Sequence, residues 1–315
     1  MELAIQIARS TFSAARLIMV AMILAMPVLA QEVDSVAPKP QSQSESNKPV
    51  ESKKPFEFET IRNVYYAKEL DYKLLCDIYQ PKGDGPFPVL LAIHGGAWRN
   101  GSKLQMLRHA WKFAKAGYVV IAINYRHAPA YKFPAQVHDC KRAVRWVRYK
   151  SKKLKADPNR IAVFGYSAGG HLGAMLGATD ETDGLEGNVP EELKEYSSRV
   201  NCVVVGGGPC EFGWIKSKAL VYWLGATLDE KPEVYKQAAP MTYVSKDDPP
   251  MMFFHGEADT VVPPAASKKM HDRMIAAGVS THYKTVSIKG HFMTFSDTTW
   301  LDDAIAFIDQ HLNRK

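Results

Sequence analysis

From Phe56 onward, short apolar runs alternate with stretches of helical periodicity, and this alternation restricts the fold more than any other feature of the chain. Leu74 to Tyr79, Pro88 to Ile93, Tyr118 to Asn124, Arg160 to Phe164, Val200 to Val205, Met251 to His255 and His282 to Ser287 read as strands. Helical patterns fall near Lys103 to Lys115 and from Ala135 to about Lys150, where Val137, Cys140, Val144 and Val147 share one face. Others begin at Ser167 and cover Ala265 to Ala277 and Thr299 to His311. Strands alternating with helices predict an α/β chain with a mostly parallel central sheet and helices on both faces. Chemistry in such a sheet belongs at the carboxyl ends of the strands.

The 315 residues, 46% of them hydrophobic, suffice for one domain with a sizeable core, expected over 56–315. Upstream, Arg9 and Arg16 precede the apolar run Leu17 to Ala25, and Val28-Leu29-Ala30 has the small residues that signal peptidase requires. Residues 1–30 therefore read as a secretory signal peptide, and the protein as exported to the periplasm or the extracellular space. An uncleaved N-terminal membrane anchor is the alternative. Residues 31–55, with Pro38, Pro40, Pro49 and Pro55 among polar side chains, have too little apolar surface to offset the entropy of ordering and read as a flexible linker. Two stretches, 180–199 and 211–245, look like insertions between the helix that begins at Ser167 and the strand at Met251.

The formal charge is +7; two arginines and one glutamate lie in residues 1–30, so the remainder carries +6. The densest basic run, Lys150 to Lys155, follows a helical pattern, where cations offset the negative helix end. No nucleic-acid partner is implied, and no membrane partner beyond export; oligomeric state is open. Cys76, Cys140, Cys202 and Cys210 would permit disulfides in an oxidising compartment, with pairings that spacing does not fix, while their place in apolar runs and the size of the domain favour buried free thiols. No metal cluster stands out, and Gly206-Gly207-Gly208 lacks the lysine and hydroxyl residue of a phosphate loop, so neither metal nor cofactor is expected.

The strand Ile161 to Phe164 runs into Gly165-Tyr166-Ser167-Ala168-Gly169 and then a small-residue helix start. That strand–turn–helix context is what a serine nucleophile needs, because the sharp turn exposes its hydroxyl while the helix amides face developing negative charge. A serine hydroxyl also needs a base, and the base an orienting carboxylate. Chains with this turn place them in the order Ser, Asp or Glu, His. Asp259 follows the strand Met251 to His255, and His291 follows the next strand. Of the ten histidines, His94, His171, His271 and His311 are set aside by position, while His127 and His138 stay formally open. Glu257, Asp247 and Asp248 are the rivals of Asp259, and the last two precede the strand. The N–H groups of Ala168 and of Gly95 or Gly96 are expected to form an oxyanion hole. Trp98, Trp214 and Trp223 are candidates for the substrate pocket, with packing as the competing reading of the last two.

Taken together, His94-Gly95-Gly96-Ala97-Trp98, Asn124-Tyr125-Arg126, Phe133-Pro134-Ala135-Gln136 with Asp139, the serine turn, Asp259 and His291 resemble the HGG-type esterase/lipase group of the α/β-hydrolases. The resemblance leans toward its acetyl-xylan and feruloyl esterase-like members and covers residues 58–312. It implies an α/β-hydrolase fold with a small inserted cap built by 180–199 and 211–245, and hydrolysis of small acyl or carbohydrate-linked carboxylic esters through an acyl-enzyme. Amide cleavage as an arylformamidase or peptidase, or ligand binding without catalysis, are the competing functions. Two positions depart from the group: Ala97 stands where a third glycine is common, and Gly206-Gly207-Gly208-Pro209-Cys210-Glu211-Phe212 replaces a Gly-Pro-Thr-Asp type stretch.

Overall fold

The computed structural model describes residues 54–69, 72–213, 215 and 217–314. The signal-peptide reading of 1–30, the linker up to residue 53 and the pocket candidate Trp214 lie outside the described residues.

The elements follow one another as β1 (Phe58–Glu69), β2 (Tyr72–Pro81), β3 (Phe87–Ile93), α1 (Leu107–Lys115), β4 (Val119–Ile123), α2 (Ala135–Tyr149), β5 (Ala156–Tyr166) and α3 (Ala168–Ala178). Then come β6 (Cys202–Gly206), α4 (Lys218–Leu224), α5 (Pro232–Ala238), β7 (Met251–Gly256), α6 (Ala265–Ala276), β8 (Thr281–Val286), α7 (His291–Ser296) and α8 (Leu301–His311). The strands form one sheet in the order β1-β2-β4-β3-β5-β6-β7-β8. β2 runs antiparallel to β1 and β4, and every other pairing is parallel. This is the α/β-hydrolase architecture.

Period-two alternation along the central strands feeds two cores. Leu91, Ile93, Ile121, Val163, Val205 and Phe253 face one way and join residues of α2, α3 and α6. Leu90, Ala92, Val120, Phe164, Val204 and Phe254 face the other way, against α1 and α8. Full burial stabilises each large aliphatic or Phe side chain by about 1.5–3 kcal/mol, so a one-residue slip of a central strand would be costly. β1 is an edge strand that the polar run Phe58 to Val64 conceals in the sequence, and register shifts between Ile61 and Val64 and between Tyr65 and Ala67 bulge it. Cys76, Cys140, Cys202 and Cys210 are buried free thiols. Among the described residues no helix is long and apolar enough to cross a membrane.

The two insertions differ in place. Residues 180–199 lie along α2: Lys141 and Arg145 reach Glu186 at 2.6 and 2.5 Å, and Arg148 donates to the carbonyl of Arg199 at 2.7 Å. These contacts tie the segment to the flank of a core helix. Residues 211–245 carry α4 and α5 and border the serine.

Candidate active site

The loops leaving β3, β5, β6, β7 and β8 share one edge of the sheet, because these strands are parallel neighbours. Between β5 and α3 the chain reverses at Ser167, whose φ of 57° and ψ of −121° lie in a region that costs a residue with a Cβ about 1–3 kcal/mol. The surroundings enforce it. A Cβ on Gly165 would lie 2.0 Å from the carbonyl oxygen of Gly169, and one on Gly169 2.1 Å from that of Ile93, so the turn packs against itself and against β3 only with glycine at both flanks. The Ser167 amide donates to the Gly206 carbonyl at 2.7 Å, which ties the turn to β6. Ala168 opens α3, so its N–H has no acceptor within the helix.

The loop after β3 is strained in the same way. Gly96, Ala97 and Trp98 have φ of 119°, 51° and 57°. Ala97 thus adopts the left-handed conformation that a glycine would enter freely, so alanine in place of a third glycine adds strain here. His94 anchors the loop: its Nδ1 is 2.7 Å from the Gly95 carbonyl, its ring stacks on Tyr125 at 4.3 Å, and its own carbonyl accepts from the Tyr125 hydroxyl at 3.1 Å. Burial pushes the His94 imidazole down to about 4, so it stays neutral at physiological pH. An ideal Cβ on Gly95 would sit 3.2 Å from the Ser167 Cβ, which measures how closely this loop approaches the serine.

Asp259 and His291 meet. Asp259 Oδ2 is 2.6 Å from His291 Nδ1, and both side chains are buried. Asp259 Oδ1 accepts from the amides of Val261 and Val262, each at 2.9 Å. Burial by itself would raise the carboxyl, but hydrogen bonds from His255, His291 and the Val262 amide hold it well below the usual carboxylate range. An ionised carboxylate only accepts, so His291 carries its proton on Nδ1 and has Nε2 available as a base. Tyr166, next to Ser167, joins this pair to the turn: its hydroxyl donates to the His291 carbonyl at 2.5 Å and its ring lies 5.1 Å from the imidazole.

Beside Ser167 lies a cavity of about 100 Å³ walled by Trp98, Phe212, Ile215, Leu220, Val261 and Val262 among others. Trp98 is thus one of the residues that wall the cavity beside Ser167. Trp223 does not reach the cavity: it is fully buried behind Trp98, with parallel rings 4.0 Å apart, and its Nε1 donates to Gln136 at 2.9 Å. A flat indole fills the space between α4 and the core better than it would line an opening, and its N–H finds a partner there. His171, set aside from sequence, is another support of Trp98; its Nδ1 accepts from Trp98 Nε1 at 3.2 Å and its Nε2 contacts the Ala238 carbonyl at 2.7 Å. His255, on β7, is a further contact of Asp259 that sequence reading missed. The only hint was its position four residues before the aspartate.

A family model described as BD-FAE matches residues 76–274. Esterase LipC of Mycobacterium tuberculosis is 32% identical over 232 residues, 70% of this chain and 56% of that protein. Probable carboxylic ester hydrolase LipM of the same organism is 31% identical over 202 residues, 60% of this chain and 45% of that protein. The chain spans about half the length of the curated relatives it matches. Among solved structures, a truncated form of a carbohydrate esterase from gut microbiota superposes with a TM-score of 0.75 at 27% identity, covering 83% of this chain and 99% of that one. Thermogutta terrifontis esterase 2 phosphorylated by paraoxon matches with a TM-score of 0.65 at 28% identity, covering 81% of this chain and 93% of that one.

Proposed function

The chain belongs to the BD-FAE family, and from that footing we propose that it is an exported serine hydrolase that cleaves small acyl or carbohydrate-linked carboxylic esters through an acyl-enzyme. The observation that carries the reading is the Asp259–His291 pair, 2.6 Å apart and coupled through Tyr166 to the strained turn that bears Ser167. In this mechanism His291 Nε2 takes the hydroxyl proton as Ser167 Oγ attacks the ester carbonyl, and Asp259 holds the imidazole tautomer and stabilises the imidazolium. The N–H of Ala168 and that of Gly95 or Gly96 meet the oxyanion, each worth about 3–4 kcal/mol. Collapse expels the alcohol with the proton from His291, and water then releases the acid by the same steps in reverse.

Three observations support the reading. The relatives matched by sequence are named as esterases, and a similar structure is a carbohydrate esterase. The walls of the cavity beside Ser167 are largely apolar, and its volume of about 100 Å³ suits a short acyl chain. Export rests on residues 1–30, with Arg9 and Arg16 ahead of an apolar run and Ala30 at its end.

Turnover of p-nitrophenyl acetate by wild type and Ser167→Ala tests the proposal. The expected loss in kcat is roughly 10⁶-fold, the scale on which removing the nucleophile acts in subtilisin. Undiminished turnover in the variant, or faster cleavage of formanilides or aminoacyl amides than of esters by the wild type, would overturn it.

A further inference from the structure

Asp259 receives two histidines, not one. His255, near the end of β7, is buried, and its Nε2 lies 2.8 Å from the Val262 carbonyl and 3.2 Å from Asp259 Oδ2. Both neighbours only accept, so Nε2 carries a proton and shares it between them. On the other side of the ring, Nδ1 is 2.7 Å from Ser267 Oγ at the start of α6, and Ser267 reaches the Pro264 carbonyl at 3.2 Å. The imidazole is thus held at both nitrogens. Val262 closes the arrangement, giving its carbonyl to His255 and its amide to Asp259 Oδ1.

The oxygen that His255 touches is the one that His291 Nδ1 touches at 2.6 Å. We propose that His255 is a positioning residue for the reaction, which fixes Asp259 Oδ2 in line with His291 and takes up part of that oxygen's charge. The consequence is twofold. Without His255 the carboxylate is freer to turn away from His291, so fewer imidazoles stand ready at Ser167. The carboxylate that remains in line has one donor fewer and holds a protonated His291 more strongly, so the base becomes available only at higher pH. Among the described residues, the titratable groups that face His255 are Asp259 from its own loop, His291 beyond that carboxylate, and Tyr283 of β8, whose hydroxyl lies 3.4 Å from Ser267 Oγ and is pushed up by burial.

This inference rests on the ester-hydrolase reading of Ser167, Asp259 and His291, and the test separates the two. Kcat, KM and the pH dependence of kcat/KM on p-nitrophenyl acetate are measured for wild type, His255→Leu and His255→Gln, with labelling of Ser167 by a fluorophosphonate. The glutamine amide can put an N–H where Nε2–H stands; leucine cannot. The Leu variant is expected to lose about 10²-fold in kcat, the scale on which a ~1 Å misplacement acts, with KM little changed and the acid limb of the profile moved to higher pH. The Gln variant should keep both kcat and the limb near wild type. A Leu variant with wild-type kcat and acid limb would refute the inference, as would equal losses in Leu and Gln with the limb unmoved, which is what packing alone predicts. Should the Leu variant fail to fold, His255→Asn, whose amide sits nearer the Nδ1 position, takes its place; an acid limb unmoved in Asn would refute the inference, and one moved only in Asn would support it. A wild type that neither turns over esters nor labels at Ser167 would instead bring down the underlying reading, and the inference with it.

Discussion

The two insertions, 180–199 and 211–245, are attached to the same sheet by opposite kinds of force. The first is held by charge: Glu186 lies between the buried Lys141 and Arg145, and Arg145 also meets Glu181 at 3.3 Å. The second is held by aromatic packing, through Trp223 stacked on Trp98 with Phe212 5.7 Å from Trp223, and through the Trp223–Gln136 hydrogen bond. Position explains the difference. The first insertion lies along a helix whose outward turns present Lys141, Arg145 and Arg148, so a carboxylate and carbonyls answer them. The second leaves β6 at its carboxyl end and walls the cavity beside Ser167 with Phe212, Ile215 and Leu220. Of the two, the insertion that leaves the carboxyl edge of the sheet is the one that borders the candidate site.

Trp223→Ala should break the comparison most. Removing a fully buried indole costs about 3–5 kcal/mol and frees Trp98, so thermal stability and kcat/KM should fall together. Differential scanning calorimetry with ester assays well below the melting temperature would check this; intact activity would mean that Trp223 supports the packing of residues 211–245 alone. Glu186→Ala should cost a similar ~3–5 kcal/mol, because Lys141 would be left buried without its carboxylate, yet the ratio of acetate to butyrate turnover should stay at the wild-type value. A changed ratio would show the first insertion reaching the acyl site. Leu220→Ala, in α4 and on the cavity wall, should favour longer acyl chains by about 1–3 kcal/mol, or roughly 10-fold or more, in the kcat/KM ratio of butyrate to acetate. Ratios within one enzyme remove the accompanying loss of stability.

The smallest effect is a pH dependence. Burial alone would raise the Glu186 carboxyl, but the Lys141 and Arg145 hydrogen bonds and the Lys141 charge lower it. A carboxyl depressed on folding contributes stability that is full above its unfolded value of about 4.3 and is lost as pH falls through the lower folded value. Below about pH 4.3 the wild type should therefore lose stability faster than Glu186→Gln, as denaturant midpoints at successive pH values would reveal. Parallel curves would argue that this cluster does not titrate with unfolding.

The central strands were legible because each is an unbroken apolar run bounded by a turn. β1 was not, since an edge strand alternates polar and apolar residues and pairs on one side only. The helices α4, α5 and α7 are too short for periodicity to stand out. Ser167, Asp259 and His291 could be singled out because each follows a strand in a fixed order, and the Asp259–His291 contact follows from β7 and β8 being parallel neighbours.

What the sequence determined by itself is local: which runs form strands, where glycine alone permits a turn, and which polar residues leave the sheet at its carboxyl edge. These depend on side-chain size and period over a few residues. The tertiary structure alone decided that Trp98 lines the cavity while Trp223 lies behind it, that residues 180–199 lie along α2, and that His255 and His291 converge on one oxygen of Asp259. Those relations join residues remote in sequence or facing in directions that sheet twist and packing set, and composition and spacing carry no record of either.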